Sequence, residues 1–345
     1  MIEIDGSQKS GSGTILRMSV ALATIQNEPL HITNIRQNRP QPGLKPQHLE
    51  SVLTAARLCN AKLKGASLNS RELWYTPSTV TGGNVEAKIG TAGSIPMLIL
   101  TILPICAFSQ RKVQVSIKGG GTDVQNSPTI NYMRHVLLPT LKRMGFKASI
   151  SVVKYGYYPK GMGEVTLTAE PCRELQPLRS ETFGIIKVIA GISVCTHLAD
   201  RKVAERQAKT AETYFKQRNM QTQVQIQNDV SNPLQKGSSI TLWTETDTNT
   251  TLGADAIGEI KKPSETVGEE AARRLWTEIE AKPTVDIHLA DILIPYFAMT
   301  KGESTFLTRT ITEHLETNIW LAQTILGAQF NLTKVGNLFR VERTA

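Results

Sequence analysis

The chain has 345 residues, 40% of them hydrophobic and 20% charged, with a formal net charge of +9. That balance excludes a disordered or collagen-like chain, supplies a core for one large domain with an insertion or for two domains, and favours a polyanionic partner. No apolar run reaches the roughly 18 residues of a membrane-spanning helix. The opening MIEIDG carries no basic-then-apolar leader pattern, so no membrane partner and a cytoplasmic location are expected. Cys59, Cys106, Cys172 and Cys195 are scattered with no C-x-x-C pair, which argues against a zinc site or a disulfide framework. Cys59 and Cys106 read as small core residues in apolar helical patterns.

In chain order, a short strand ending at Asp5 leads into a Gly/Ser loop up to Gly13 and then the helical pattern ILRMSVALATI. Next comes a proline-restrained loop, Ile35–Gly43, carrying Arg36 and Arg39. The stretch from Gln47 reads as an amphipathic helix, a break at Asn60 and an alternating strand. Gly90–Ser94 opens the apolar helix PMLILTILPICAF, and Gly119–Asp123 precedes a helix from Ile130. Helix, two- or three-residue break and period-two strand then recur from Ile130, from Val203 and from Leu315, with breaks at Gly145, Asn219 and Gly327. Gly and Asn at those breaks suit left-handed helix caps. The recurrence suggests repeated α/β units. The stretch from Ser180 to Lys282, with more polar strands and a loop at Thr244 to Thr251, reads as an inserted subdomain.

Several residues are placed where phosphate chemistry would need them. A strand, a Gly/Ser loop and a helix N-terminus direct backbone N–H groups outward, with Arg17 one turn into the helix. This fits either a phosphate loop or an ordinary turn, since it matches neither a Walker A loop nor a G-x-G-x-x-G fingerprint. Arg36 and Arg39 on a stiff loop suit phosphate, although solvated arginines are the commoner case. The six histidines, His31, His48, His135, His197, His288 and His314, show no metal-ligand spacing. His135 lies mid-helix and reads as structural, while His48 and His314 sit at helix starts. There the dipole disfavours the imidazolium and leaves the neutral form that a nucleophile requires. A lone histidine at a helix start is structural more often than catalytic.

The ordered set IDGSQKSGSGTILR, IRQNRPQPGLKPQHL, GTAGS, GGGTD, YGYYPKGMGEV, HLADILIP and TEHLETN resembles the RNA 3'-terminal phosphate cyclase family over nearly the whole chain. The resemblance implies an α/β (α+β) fold, with three repeated βαβαββ-like units forming a large domain, 1–180 and 281–345, around a smaller inserted α/β domain, 181–280. It implies an ATP-dependent enzyme acting on RNA with a 3'-phosphate end, with a divalent metal, Mg or Mn, and a homodimer among its expected assemblies. His314 matches the histidine that would carry AMP. By matched position, Arg17 and the wall His288, Leu289, Ala290, Asp291 and Ile292 would bind ATP. Arg36, Arg39, Gln47 and His48 would bind RNA or triphosphate, and Asp291 would contact metal or orient His314. Ser10 stands where the family usually carries a metal-associated Glu. Leu100 and Ile292 each replace a Gln, His288 replaces a frequent Tyr, and Tyr155 and Met162 are irregular in their motif. Two rival readings are an inactive, cyclase-like, ribosomal-RNA-binding assembly factor and a sugar-phosphate enzyme of related fold. The His314 motif speaks against both.

Overall fold

Alternating patterns give strands and three-to-four spacing gives helices along the whole chain, and in the computed structural model, which describes residues 1–344, they assemble into four small sheets with helices packed against them. The first sheet uses β1 (Ile2–Asp5), β2 (Leu30–Thr33), β3 (Lys62–Lys64) and β4 (Leu73–Thr76), with α1 (Gly13–Gln26) and α2 (Pro46–Cys59) between them. Its order is β1-β2-β4-β3, with β1 parallel to β2 and the other pairs antiparallel. Ser12 caps α1 by accepting from the Thr14 amide, and Pro46 starts α2, where an amide hydrogen is not needed.

The second sheet follows the same path. It contains β5 (Gly83–Lys88), β6 (Val113–Lys118), β7 (Ala148–Lys154) and β8 (Glu164–Ala169) in the order β5-β6-β8-β7, with only β5 and β6 parallel. Its first helix is α3 (Ile95–Ala107). The next, α4 (Ile130–Tyr132), widens into a π-turn (Met133–Leu137) and continues as α5 (Leu138–Arg143). Pro139 offers no amide hydrogen there, and the wide turn accommodates its ring. The remaining strands and helices are β9 (Ile186–Thr196), α6 (Val203–Lys216), β10 (Thr222–Asp229), β11 (Gly237–Thr246), β12 (Thr251–Ile257), α7 (Ser264–Ala281), α8 (Ile287–Ala298), β13 (Ser304–Thr308), α9 (Glu313–Leu326), β14 (Gln329–Val335) and β15 (Leu338–Thr344). They form sheets ordered β10-β9-β11-β12 and β13-β15-β14.

Asn60, Gly145, Asn219 and Gly327 all adopt positive φ, at 51°, 86°, 57° and 66°, so each break carries the left-handed residue expected of it. Two breaks are longer than expected: α5 ends at Arg143 and β7 begins at Ala148, while α6 ends at Lys216 and β10 begins at Thr222. The expected loop at Thr244 to Thr251 also needs correction. β11 runs to Thr246 and β12 begins at Thr251, leaving only Asp247–Thr250 as the turn, because β-branched threonines favour the strand.

One hydrophobic cluster runs through the first, second and fourth sheets and joins α1, α2, α3, α8 and α9. A second lies under α6 and α7 and includes Ile189, Phe215, Leu242, Leu252 and Leu275. His135 stacks on Trp243 of β11 at 4.3 Å. Helix α3 is apolar on all sides and accordingly sits inside, against α1, α2 and α8. Cys59 and Cys106 are buried as expected. Among the described residues no helix is long and apolar enough to cross a membrane. For the site, the decisive packing is α1 against α9, which brings two helix starts from opposite ends of the chain together.

Candidate active site

Those two helix starts open into a cleft of about 2130 Å³. Thr312 caps α9, its hydroxyl accepting from the Leu315 amide at 2.9 Å, and this sets His314 in the first turn. His314 Nδ1 lies 3.3 Å from Thr14 Oγ1 in the first turn of α1. Arg17 Nη2 donates to the same Thr14 oxygen at 3.5 Å. With the ring proton on Nδ1 and donated to Thr14, Nε2 keeps its lone pair. That tautomer is the one a nucleophile needs.

Electrostatics favour a neutral ring. Burial pushes the His314 pKa below its ordinary value, and the cations Arg17 and Arg39 push it further, with Glu313 opposing. His48 is driven down to about 2 by burial and then by Arg17, Arg36, Arg39 and Lys45. Its ring packs directly over Gly13, where a Cβ would come within 2.3 Å of His48 Nε2. Burial lowers Arg17 to about 10, with Arg36 and Arg39 adding repulsion. Among the described residues none of these three arginines forms an ion pair. Converging guanidiniums without a counter-charge make an anion site, because only an incoming anion relieves their repulsion.

The expected residues divide by where the fold places them. Arg17, Arg36, Arg39, Gln47, His48, His288, Asp291, Ile292 and His314 all line the cleft. Arg36 has a structural duty as well: at a φ of 57° it donates from Nη1 to the carbonyls of Gln41 and Gly43, both at 2.8 Å, and braces its own loop. Gln47 Oε1 accepts from the Ser94 amide at 2.7 Å and anchors the glycine loop that opens α3. Leu289 and Ala290 stand apart from these. They are fully buried in the main core and do not line the cleft, since α8 turns positions 289 and 290 inward while 288, 291 and 292 face out.

Among the described residues Asp291 forms no hydrogen bond with His314. Its carboxylate accepts from the Thr312 hydroxyl, and its backbone carbonyl accepts from Asn318 Nδ2 at 2.7 Å, so it holds the start of α9 through that cap. Burial raises its pKa to about 7. Ser10 is buried outside the cleft, with its hydroxyl 3.0 Å from that of Ser12 and its amide donating to Thr317 at 3.3 Å. Leu100 and Ile292 do line the cleft. Among the described residues no group of three or more His, Cys, Asp or Glu is placed to cage a metal.

Sequence reasoning missed Thr14, Thr312, Asn318 and Asp286. Thr312 and Asp286 had a legible signal, since each is a capping residue type directly before an apolar helical run. Thr14 and Asn318 had none, because their importance arises only from contacts between helices, α1 with α9 for Thr14 and α8 with α9 for Asn318.

Comparison with known proteins shows the family. The profile of the family described as RNA 3'-terminal phosphate cyclase matches residues 8–332. A protein named RNA 3'-terminal phosphate cyclase from Pyrococcus abyssi is 43% identical over 96% of this chain and 95% of its own length. Proteins of the same name from Pyrobaculum aerophilum and Methanosarcina mazei are 38% and 39% identical, covering 99% of this chain and 97% and 99% of their own lengths.

Proposed function

The chain belongs to the RNA 3'-terminal phosphate cyclase family, and from that premise we propose that it converts an RNA 3'-phosphate into a 2',3'-cyclic phosphodiester through AMP carried on His314. One observation carries this reading: a histidine held neutral stands in the same cleft as three guanidiniums that lack carboxylate partners. Nε2 attacks the α-phosphorus of ATP, a P–N bond forms, and the bond to the pyrophosphate oxygen breaks. The Nδ1 proton stays shared with Thr14, which stabilises the developing imidazolium. Arg17 and Arg39 offset the charge of the triphosphate and of the departing pyrophosphate. An oxygen of the RNA 3'-phosphate then attacks the same phosphorus and breaks the P–N bond. Finally the neighbouring 2'-oxygen loses its proton, attacks the 3'-phosphorus and expels AMP.

Asp291 lines the same cleft as His314, and one such carboxylate would suit a magnesium-like ion carried mainly by phosphate oxygens rather than an all-protein cage. Such an ion would supply further charge neutralisation at the phosphates. We also propose the division into a large body, 1–180 and 281–345, and an inserted body, 181–280. The separate hydrophobic cluster under α6 and α7 and the matching strand paths of the first two sheets support it.

The activity is tested by incubating the protein with ATP, divalent metal and RNA ending in a 3'-phosphate. The expected product has an end that phosphatase no longer removes but mild acid reopens. RNA that binds yet stays phosphatase-sensitive would instead favour the assembly-factor reading.

A pH dependence follows from the cations. Neutral His314 predominates above its lowered pKa, so the rate of AMP attachment should hold through the ordinary histidine range near 6.5 and fall only at lower pH. Arg39→Ala removes one source of that lowering, and the acid limb should move up towards the ordinary value. An unmoved limb would show that Arg39 does not act on His314.

A further inference from the structure

The cleft continues past the phosphate end to an outer wall that the AMP chemistry does not use. Small-molecule sites occupy about 300–1,000 Å³, whereas this one measures about 2130 Å³, so it extends well beyond one nucleotide. On one side of the outer part lies the loop Tyr155–Gly163, and on the other lies the body built around β9–β12. Two buried side chains clamp them together. Asn232 Nδ2 donates to the carbonyls of Tyr155 and Gly161 at 2.7 and 3.2 Å. Gln235 accepts from the Lys160 amide at 3.1 Å and donates to the Tyr158 carbonyl at 3.2 Å. Gly237 seats the Tyr157 ring, since any Cβ there would come within 2.1 Å of it.

The backbone around Tyr158 is therefore held at several points, yet its side chain is 78% exposed. A fixed backbone that presents a free aromatic face loses little entropy on stacking. Lys236 directly follows the clamp residue Gln235, and Arg201 and Lys261 line the same cleft; all three are exposed and without ion pairs among the described residues. Other cations there are already paired: Arg206 with Glu265 and Lys262 with Glu270. Ile260, 91% exposed, adds apolar surface beside Lys261.

Unpaired cations flanking an exposed aromatic face are the means by which single-stranded nucleic acid is held, with bases stacked and phosphates neutralised. We infer that the outer wall is a subsite for the single-stranded RNA segment immediately upstream of the 3'-terminal nucleotide. Tyr158 stacks a base, and Arg201, Lys236 and Lys261 take the phosphates. The RNA thus enters along the clamped loop and delivers its end to His314. This rests on the reading of His314 given above, and the two are separable because AMP attachment requires no RNA.

The test uses the full chain and a fluorescent 3'-phosphate RNA of roughly ten nucleotides, within the usual span of single-strand sites. Tyr158→Ala should weaken binding about tenfold, the size of one base–aromatic stack, while Tyr158→Phe should bind as the unmodified protein does. Arg201→Ala combined with Lys236→Ala should flatten the dependence of log affinity on log salt by roughly 0.7 per lost contact. AMP attachment from ATP alone, measured in parallel, should persist in every variant and confirms folding. Unchanged affinity and salt slope in both sets, with AMP attachment intact, would overturn the subsite. Equal loss in Tyr158→Phe would overturn stacking as its basis. Failure of the unmodified protein to take AMP would overturn the His314 reading alone, leaving the RNA measurements to decide the subsite.

Discussion

Replacing His314 with alanine is expected to abolish AMP attachment, lowering its rate by roughly 10³-fold or more, because no other group can form the covalent bond. His48 and His288 also line the cleft, but the His48 ring is buried over Gly13 and its neighbours are the same cations. The variant should remain folded, since His314 is only half-buried and its one recorded hydrogen bond is the 3.3 Å contact with Thr14. Labelling with ATP carrying a radioactive α-phosphate, followed by denaturation, reads the result. Full labelling of the alanine variant would mean that another residue carries the nucleotide.

The largest stability effect is expected at Asp286, which holds three parts of the fold on one buried carboxylate. Oδ1 accepts from the His288 and Leu289 amides, both at 3.0 Å, and from the Tyr132 hydroxyl at 2.8 Å. Oδ2 accepts from the Gly253 amide at 2.9 Å. The residue thus caps α8 and ties it to α4 and to β12. Asp286→Ala removes the cap and leaves the Tyr132 hydroxyl and the Gly253 amide without their partner. The sum of those losses is about 3–5 kcal/mol. Asp286→Asn keeps one acceptor and should cost less. Urea unfolding with the alanine variant should show a clear fall in midpoint and loosening of β12 from α8 by amide exchange. A midpoint equal to that of the unmodified protein would show that water replaces these bonds.

Much of the local structure was legible because local chemistry determines it. Asn60, Gly145, Asn219 and Gly327 end their helices in the left-handed conformation because Gly and Asn tolerate it best. The expected wall of contiguous residues 288–292 divides between cleft and core for an equally local reason. On a helix, positions i, i+3 and i+4 share a face, so His288, Asp291 and Ile292 meet the cleft while Leu289 and Ala290 join the core. Reading the motif at helical spacing would have separated them.

Other features had no local signal. Thr14 and His314 are 300 positions apart, and only the packing of α1 on α9 brings them into contact. Arg36 resembled a free phosphate ligand, but its loop requires it as a brace across two carbonyls. Ser10 lay in the first glycine loop of the sequence, yet the fold buries it, with its amide donating to Thr317 and its hydroxyl beside that of Ser12. Asp291 acts on α9 through Thr312, a link that no spacing in the sequence could reveal.

The central claim is that His314 carries AMP, and its most direct measurement is peptide mapping of the protein after incubation with ATP and divalent metal. Digestion at neutral to alkaline pH preserves an acid-labile phosphoramidate for mass spectrometry. The predicted result is one AMP on the peptide containing Thr312–Asn318, located at His314 and released when RNA bearing a 3'-phosphate is added. AMP on any other residue, or an unmodified chain while the RNA end is nevertheless cyclised, would contradict it.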